Sequence, residues 1–454
     1  MESLASQNKS TSLPDSLKYA RLPPRSVAGV SHLRKFASSN GTAFDPDNNS
    51  IIRIPVTASG VNTFLDGHNS FLRMKISADN STAASPQEDH VLDGSIFSVV
   101  QRLRLIDRKS GAILQDTQNY NLLHNTLWKF TTDKGGLSIS HATSGTAQAM
   151  IGSGNDPSAA EYYTKYDSTE GRYFSTSNSS SDMVLTTPLI SGFLNNTKNL
   201  AIPLGASGGF EIEITLAPSN ECMVGVTTTA YNIKSCEFWA PVFQVQGDGF
   251  QDSMSQMVSA MNGISFVGDN WMNYVGSTDD SSGEKIVNIP IQARSLKSLI
   301  SLSRTTTEVS SVTVNGLNKT LPNTTTEFSY MIGNERFPPS RITCKIDPNN
   351  LTQDTGVAYQ SLMMALGQGN SLHARSLIDS RDFNNEHWVY GVDCEKYQNQ
   401  SGVVSHTGIN TLDGNLQVSL EVANNPAAAQ RVDSFACCEQ TYYLSPSGAF
   451  SVSR

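Results

Sequence analysis

The chain has 454 residues, 16% charged and 38% hydrophobic, with 33 glycines and a net charge of −9 from 32 Lys plus Arg against 41 Asp plus Glu. That length exceeds one ordinary core and predicts two domains of about 200 residues. Low charge with abundant Ser, Thr, Asn and Gly argues against a helical bundle, a coiled coil or a collagen, and the acidic balance argues against a coat that binds phosphate over its whole surface.

In chain order, residues 1–28 read first as an N-terminal arm. Met1-Glu2-Ser3-Leu4 begins no cationic region followed by an apolar stretch, so no secretory signal is expected. No window approaches 18 consecutive apolar residues, so no membrane span is expected either. Across residues 1–35, Lys9, Lys18, Arg21, Arg25, Arg34 and Lys35 face only Glu2 and Asp15, while Pro14, Pro23 and Pro24 interrupt regular structure. This is either an arm lying on a partner such as nucleic acid or lipid, or a solvated tail. Asp45-Pro46-Asp47-Asn48-Asn49-Ser50 superficially has the oxygens of a calcium loop. It lacks glycine at the sixth position and has Val56 at the twelfth, so it reads as a turn.

Period-2 alternation then dominates. Leu72/Met74/Ile76, Val99/Gln101/Leu103/Leu105 and Phe210–Leu216 predict half-buried antiparallel strands, and Cys236–Phe243 predicts another. Between them Tyr120, Leu123, Leu127 and Trp128 stand at helical spacing; His124 shares that face and reads as a hydrogen-bonded packing residue. The polar stretch Thr131–Asp182 reads as a long insertion. Residues 247–263 predict a linker helix, with Met254, Met257, Val258 and Met261 on one side, Asp252 or Ser253 as N-cap and Gly263 as stop.

The second half repeats the theme. Val287/Ile289/Ile291 is a strand that Pro290 pushes to a sheet edge or bulge, and Phe328/Tyr330/Ile332 is another. Tyr359, Leu362, Met363 and Leu366 predict a helix capped near Gly367. Leu416–Val422 matches Phe210–Leu216 in pattern at an offset of 206, and Phe435–Tyr443 follows Cys236–Phe243 by about 200. The chain therefore reads as all-β, with two copies of one unit at 29–246 and 264–446 and a C-terminal tail at 447–454.

Chemistry-bearing motifs are sparse. The sequence contains no GxSxG, HExxH or GxxxxGK[ST] pattern, and Gly367-Gln368-Gly369 lacks the third glycine of a dinucleotide fingerprint, where Leu372 stands. The eight histidines are dispersed without metal-ligand spacing. Cys222, Cys236, Cys344, Cys394, Cys437 and Cys438 form no CxxC pair and read as reduced, buried thiols, with the last two on opposite strand faces. Sequons such as Asn80, Asn195, Asn318 and Asn323 read as loop composition. No single strand offers an exposed aromatic series for stacking sugars or bases. The expectation is a non-enzyme with no catalytic residue, cofactor or metal.

Three passages carry a family resemblance: Gly60–Ile76, Phe328–Pro339, and Gly408–Leu412 leading through Asn415–Ala423 to Tyr442-Tyr443-Leu444. They resemble the double jelly-roll major capsid proteins of icosahedral DNA viruses, above all those of polinton-like viruses and virophages. The resemblance implies two consecutive jelly-roll β-sandwiches joined by a short linker helix, with long loop insertions. It implies self-assembly as homotrimeric, pseudo-hexagonal capsomers that tile a virion shell, after synthesis in a host cytoplasm. Implied partners are copies of the chain, neighbouring capsomers and penton, minor capsid or cement proteins; no small-molecule substrate is implied. Thr131–Asp182 and Ser303–Glu327 would rise as an outer tower. Lys18, Arg21, Arg25, Arg34 and Lys35 would lie on the inner face, against an internal membrane or the genome. The competing readings are a carbohydrate- or receptor-binding sandwich of the spike or adhesin kind, and a β-sandwich glycosidase using two distant carboxylates.

Overall fold

The computed structural model describes residues 29–453 except 61, 79–89, 134–135, 137–142, 146–172, 175–181, 225–229, 246–262, 282, 313–315, 318–319, 321–324, 345–354, 370–375, 379–382, 384–386, 396–406, 415 and 424–427. The arm at 1–28, the linker helix before Gly263 and most of Thr131–Asp182 lie outside the described residues.

The first lobe runs through β1 (Gly29–Ala37), β2 (Ile51–Val56), β3 (Thr63–Leu65), β4 (Phe71–Ala78), β5 (His90–Leu92), β6 (Val100–Asp107), β7 (Ile113–Gln118), helix α1 (Tyr120–Thr131), β8 (Tyr173–Phe174), β9 (Met183–Pro188), β10 (Phe210–Leu216), β11 (Met223–Val224) and β12 (Tyr231–Val245). The second contains β13 (Ile264–Thr278), β14 (Lys285–Ile289), β15 (Leu296–Thr305), β16 (Glu327–Ile332), β17 (Glu335–Thr343), helix α2 (Gly356–Ala365), β18 (Tyr390–Asp393), β19 (Val418–Ala423), β20 (Gln430–Leu444) and β21 (Phe450–Ser453).

The sheets have orders β1-β12-β4-β9 and β2-β10-β6-β7 in the first lobe, and β13-β20-β15-β18 and β14-β19-β16-β17 in the second. If the eight principal strands of each lobe are counted along the chain, both lobes read 1-8-3-6 and 2-7-4-5. That is a jelly roll, built twice. The longer helix falls between the fifth and sixth strands in both lobes. Register repeats as well: Ile212 stands between Ile54 and Leu105, and Val418, 206 residues later, between Ile289 and Ile332.

The local reasons are those expected of wet-and-dry strands. Phe210, Ile212, Ile214 and Leu216 are buried, as are Val418, Leu420 and Val422. β14 is a sheet-edge strand that stops at Ile289, leaving Pro290 exposed just beyond the ladder. Asp45 Oδ1 accepts from the backbone N–H groups of Asp47 (3.0 Å) and Asn48 (2.7 Å), a side-chain-closed turn. Gly367 ends α2 at φ +74°, with the Gly367 and Gln368 amides on the Met364 and Met363 carbonyls.

Two features differ from the sequence reading. β15 continues to Thr305, so the polar stretch from Ser303 begins inside a strand, where Ser303 and Arg304 are buried; Val309 and Leu317 beyond it are buried too. Within the segment expected as a tail, β21 pairs with β20. Its Phe450 joins Phe266, Tyr442 and Leu444 in the first lobe's core, while Leu122, Leu123 and Phe130 of α1 belong to the second lobe's core. Each lobe lends apolar side chains to the other.

Candidate assembly surfaces

Among the described residues no group of three or more His, Cys, Asp or Glu could hold a metal ion. All six thiols are free and buried. Burial pushes the Cys236 thiol up to about 12 and raises the other five as well, so none is a ready thiolate. Cys438 belongs to the core, whereas Cys437 lines a notch of about 220 Å³ with Trp271 and Met364. Lys297 sits in the same notch, 2.9 Å from Asp269 and 3.2 Å from Glu395. Burial pulls its ammonium down, but the two carboxylates outweigh that and hold it above the usual lysine range. His124 stacks 4.2 Å from the Phe97 ring centre with Nε2 3.3 Å from the Pro188 carbonyl, and burial lowers its pKa to about 4. It is the packing residue its helical position suggests.

The outward faces of the first lobe are chemically distinct. On the 2-7-4-5 sheet, charges alternate across the four strands: Arg53 lies 3.2 Å from Glu213, Glu213 2.7 Å from Arg104, Arg104 3.8 Å from Asp116, and Asp116 2.6 Å from Arg102. Cross-strand register places Arg53, Glu213, Arg104 and Asp116 side by side, with Arg102 diagonal to Asp116, so each strand's charge is met by its neighbour's. On the 1-8-3-6 sheet, Phe238, Ala240 and Val242 face the core, which turns Glu237, Trp239, Pro241 and Phe243 outward. There Phe64 stacks on Phe243 (5.6 Å between ring centres) and Phe71 on Trp239 (6.5 Å). This half-exposed aromatic set is drawn from β3, β4 and β12, so inspection of any one strand misses it.

The basic residues singled out in the sequence divide. Lys18, Arg21 and Arg25 lie outside the described residues. Arg34 and Lys35 stand on β1. Arg34 donates through Nη1 to the Thr57 carbonyl (3.1 Å) and stacks its guanidinium 4.7 Å from the Phe36 ring centre. Lys35 is 3.6 Å from Glu237. Burial alone would raise the Glu237 carboxyl, but the Trp239 indole N–H, Lys35 and Arg73 reverse this and hold it below the usual range. Lys234 and Lys75 likewise lower Asp182.

The seam between the lobes is built from backbone and a buried charge hub. Thr197 N–H donates to the Val267 carbonyl (2.9 Å). A Cβ on Gly268 would come 1.8 Å from the Gly192 oxygen, and one on Gly192 would come 2.5 Å from the Asp269 oxygen, so side chains are excluded at both positions. Nearby, fully buried Asp433 accepts from Arg304 Nη2 (2.6 Å), Arg431 Nη2 (3.1 Å) and Asn119 Nδ2 (3.0 Å). Asn119 comes from the first lobe, at φ +46° where Asn is among the few tolerated residues, and also donates to Asn273 Oδ1 (2.8 Å). The sequence carries no signal for this hub, because its members lie in three distant segments.

No protein-family model matches the sequence, and no curated protein matches it. Solved structures do match over nearly the whole chain. PBCV-1 VP54, fitted into a reconstruction of the virophage Sputnik, aligns at TM-score 0.58 and 9% identity over 96% of this chain and 99% of that chain. A chain of the Sputnik virophage structure aligns at 0.58 and 11% identity over 96% and 91%. The Faustovirus major capsid protein aligns at 0.58 and 9% identity over 94% and 92%. The fold of this chain is therefore that of the double jelly-roll capsid proteins.

Proposed function

We propose, starting from the fold shared with double jelly-roll major capsid proteins, that this chain is a shell-forming subunit that self-associates as a homotrimer. The supporting observation is the repetition of one eight-strand topology in the same order, together with alignment over 96% of this chain and 99% of PBCV-1 VP54. A three-subunit ring of two-lobed subunits offers six similar lobes, which lets threefold closure occupy a sixfold lattice position. Within such a capsomer, interfaces of about 2,000–5,000 Å² would be expected, with smaller and individually weak contacts between capsomers adding by multivalency. Copies of the chain, neighbouring capsomers and penton, minor capsid or cement proteins are the proposed partners, in a virion. The basic segment before β1 would face inward, towards a membrane or the genome. The chemistry is that of assembly rather than turnover.

Light scattering on the purified chain tests this. The expected mass is three times the 49.1 kDa subunit, with lattices or shells visible by electron microscopy; a monomer at all micromolar concentrations overturns it. The aromatic set Phe64/Phe243 and Phe71/Trp239 favours one second reading, a glycan-binding sandwich, since aromatic faces stack on sugar rings. Glycan-array binding by a stable monomer, lost in Trp239→Ala, would select it.

A further inference from the structure

The junction between the two lobes of one chain is a template whose two halves recur unused elsewhere on the molecule. Within the chain, the first lobe's connection between its sixth and seventh strands, residues 189–209, runs along the free edge of β13, the second lobe's first strand. Thr197 bonds to Val267 there, and Phe193 packs on Phe266, Tyr442 and Phe450 at ring separations of 5.6, 5.2 and 5.2 Å. The described residues of the equivalent connection in the second lobe, 394–395, 407–414 and 416–417, are anchored in the same way. Ile409 exchanges two backbone hydrogen bonds with Leu296, as Ile202 does with Leu65. In the second lobe, however, this connection borders an open cavity of about 510 Å³, whose lining includes Ile332, Phe337, Ile409 and Leu416 and the carboxylates of Glu335 and Glu395.

The other unused half is β1, the first lobe's counterpart of β13. Among the described residues it is an edge strand paired only with β12. Gly29 to Leu33 are exposed on both faces, with Val30 48% and Leu33 50% exposed. The strand carries His32, Arg34 and Lys35 and no acid. A strand edge with exposed Val30 and Leu33 on the first lobe thus has as its counterpart an open, partly apolar cavity on the second, where Glu395 is already paired with Lys297 and the exposed Glu335 is the carboxylate placed to meet the basic side chains of β1.

We infer that β1 of one copy docks against the second-lobe cavity of another copy, repeating between chains the junction that joins the lobes within a chain. This rests on the self-assembly reading above and assigns its surfaces. The contact is head-to-tail, so each copy uses both surfaces at once, and a ring of three buries all of them. Within it, residues 408–414 would follow the open edge of β1 as residues 192–197 follow β13, with Val30, in phase with Phe36 on β1, entering as Phe266 enters the first lobe and Leu33 meeting the neighbouring copy on the opposite face.

Two measurements on the full chain test it. The double variant Val30→Glu/Leu33→Glu should raise the concentration for half-association about 100-fold, as expected for loss of two apolar contacts, while the thermal melt of the dilute, dissociated chain stays that of dissociated wild type. Zero-length amine–carboxylate cross-linking of a mixture of isotope-labelled and unlabelled wild-type chains should join Lys35 of one copy to Glu335 or Glu395 of another. An assembly of three that cross-links only elsewhere overturns this docking and leaves the shell-subunit reading standing. A wild-type chain that stays monomeric overturns both.

Discussion

Asp433 has no contact with water and three cationic or amide donors around it, so its charge is tolerated only because every lone pair in reach is used. Asp433→Asn should leave Arg304, itself buried, without its anion and cost about 3–5 kcal/mol. The check is a denaturant or thermal melt, with Arg304→Met/Asp433→Leu recovering only the part due to the unpaired Arg304 charge, since Arg431 and Asn119 still lose their acceptor. His124 supplies a pH signature. Its folded pKa of about 4 lies below the ordinary 6.5, so the unfolded chain binds more protons between those values. Stability is then fully present above about pH 6.5 and falls as the pH drops towards 4, by about 3 kcal/mol in total. His124→Gln should flatten that part of the melting-temperature profile; a profile identical to wild type would refute the assignment. His124 was legible as a packing residue because Leu123 and Leu127 flank it on the helix. Arg304 was not, because Ser303-Arg304-Thr305 has the composition of a loop, and only the strand ladder with β20 reveals that it is inside.

At the scale of elements, legibility follows the wetness of the faces. β10 and β19 each expose part of one face, so alternation announced them. β15 and β20 are buried on both faces for most of their length, and their mixed Ser, Cys, Leu and Phe content hides the period. β20 was found only through its offset from β12. The cross-strand aromatic set and the charge alternation over Arg53, Glu213, Arg104 and Asp116 were invisible for a different reason: their members are neighbours through register, not sequence. The contact of β13 with residues 189–198 is the element-scale weak point, since Gly268 faces Gly192 with no room for a methyl group. Gly268→Ala should lower stability by about 1–3 kcal/mol through forced backbone displacement. Hydrogen exchange at Thr197 should accelerate with it, because its amide bonds to Val267 next door.

For the whole molecule, the duplicated topology was readable from a single offset, whereas the exchange of side chains between lobes was not. Nothing local marks Phe450 as belonging to a core otherwise built mostly from residues before 243. Phe450→Ala should cost about 3–5 kcal/mol by leaving a cavity. Exchange protection should fall in β10, around Phe210, although the substitution lies far along the chain; loss confined to β20 and β21 would contradict the shared core. Lys109 donating to the Ser447 carbonyl and Ser110 Oγ to the Phe450 carbonyl (3.2 Å) hold this final strand against the first lobe. The order of translation gives that arrangement a temporal meaning. β1 to β12 precede Phe450 by about 200 residues, so the first lobe's core receives its last side chain only after the second lobe has been synthesised. A chain cut before Phe450 leaves the first lobe's interior open beside Phe193 and Phe266, against which that ring packs.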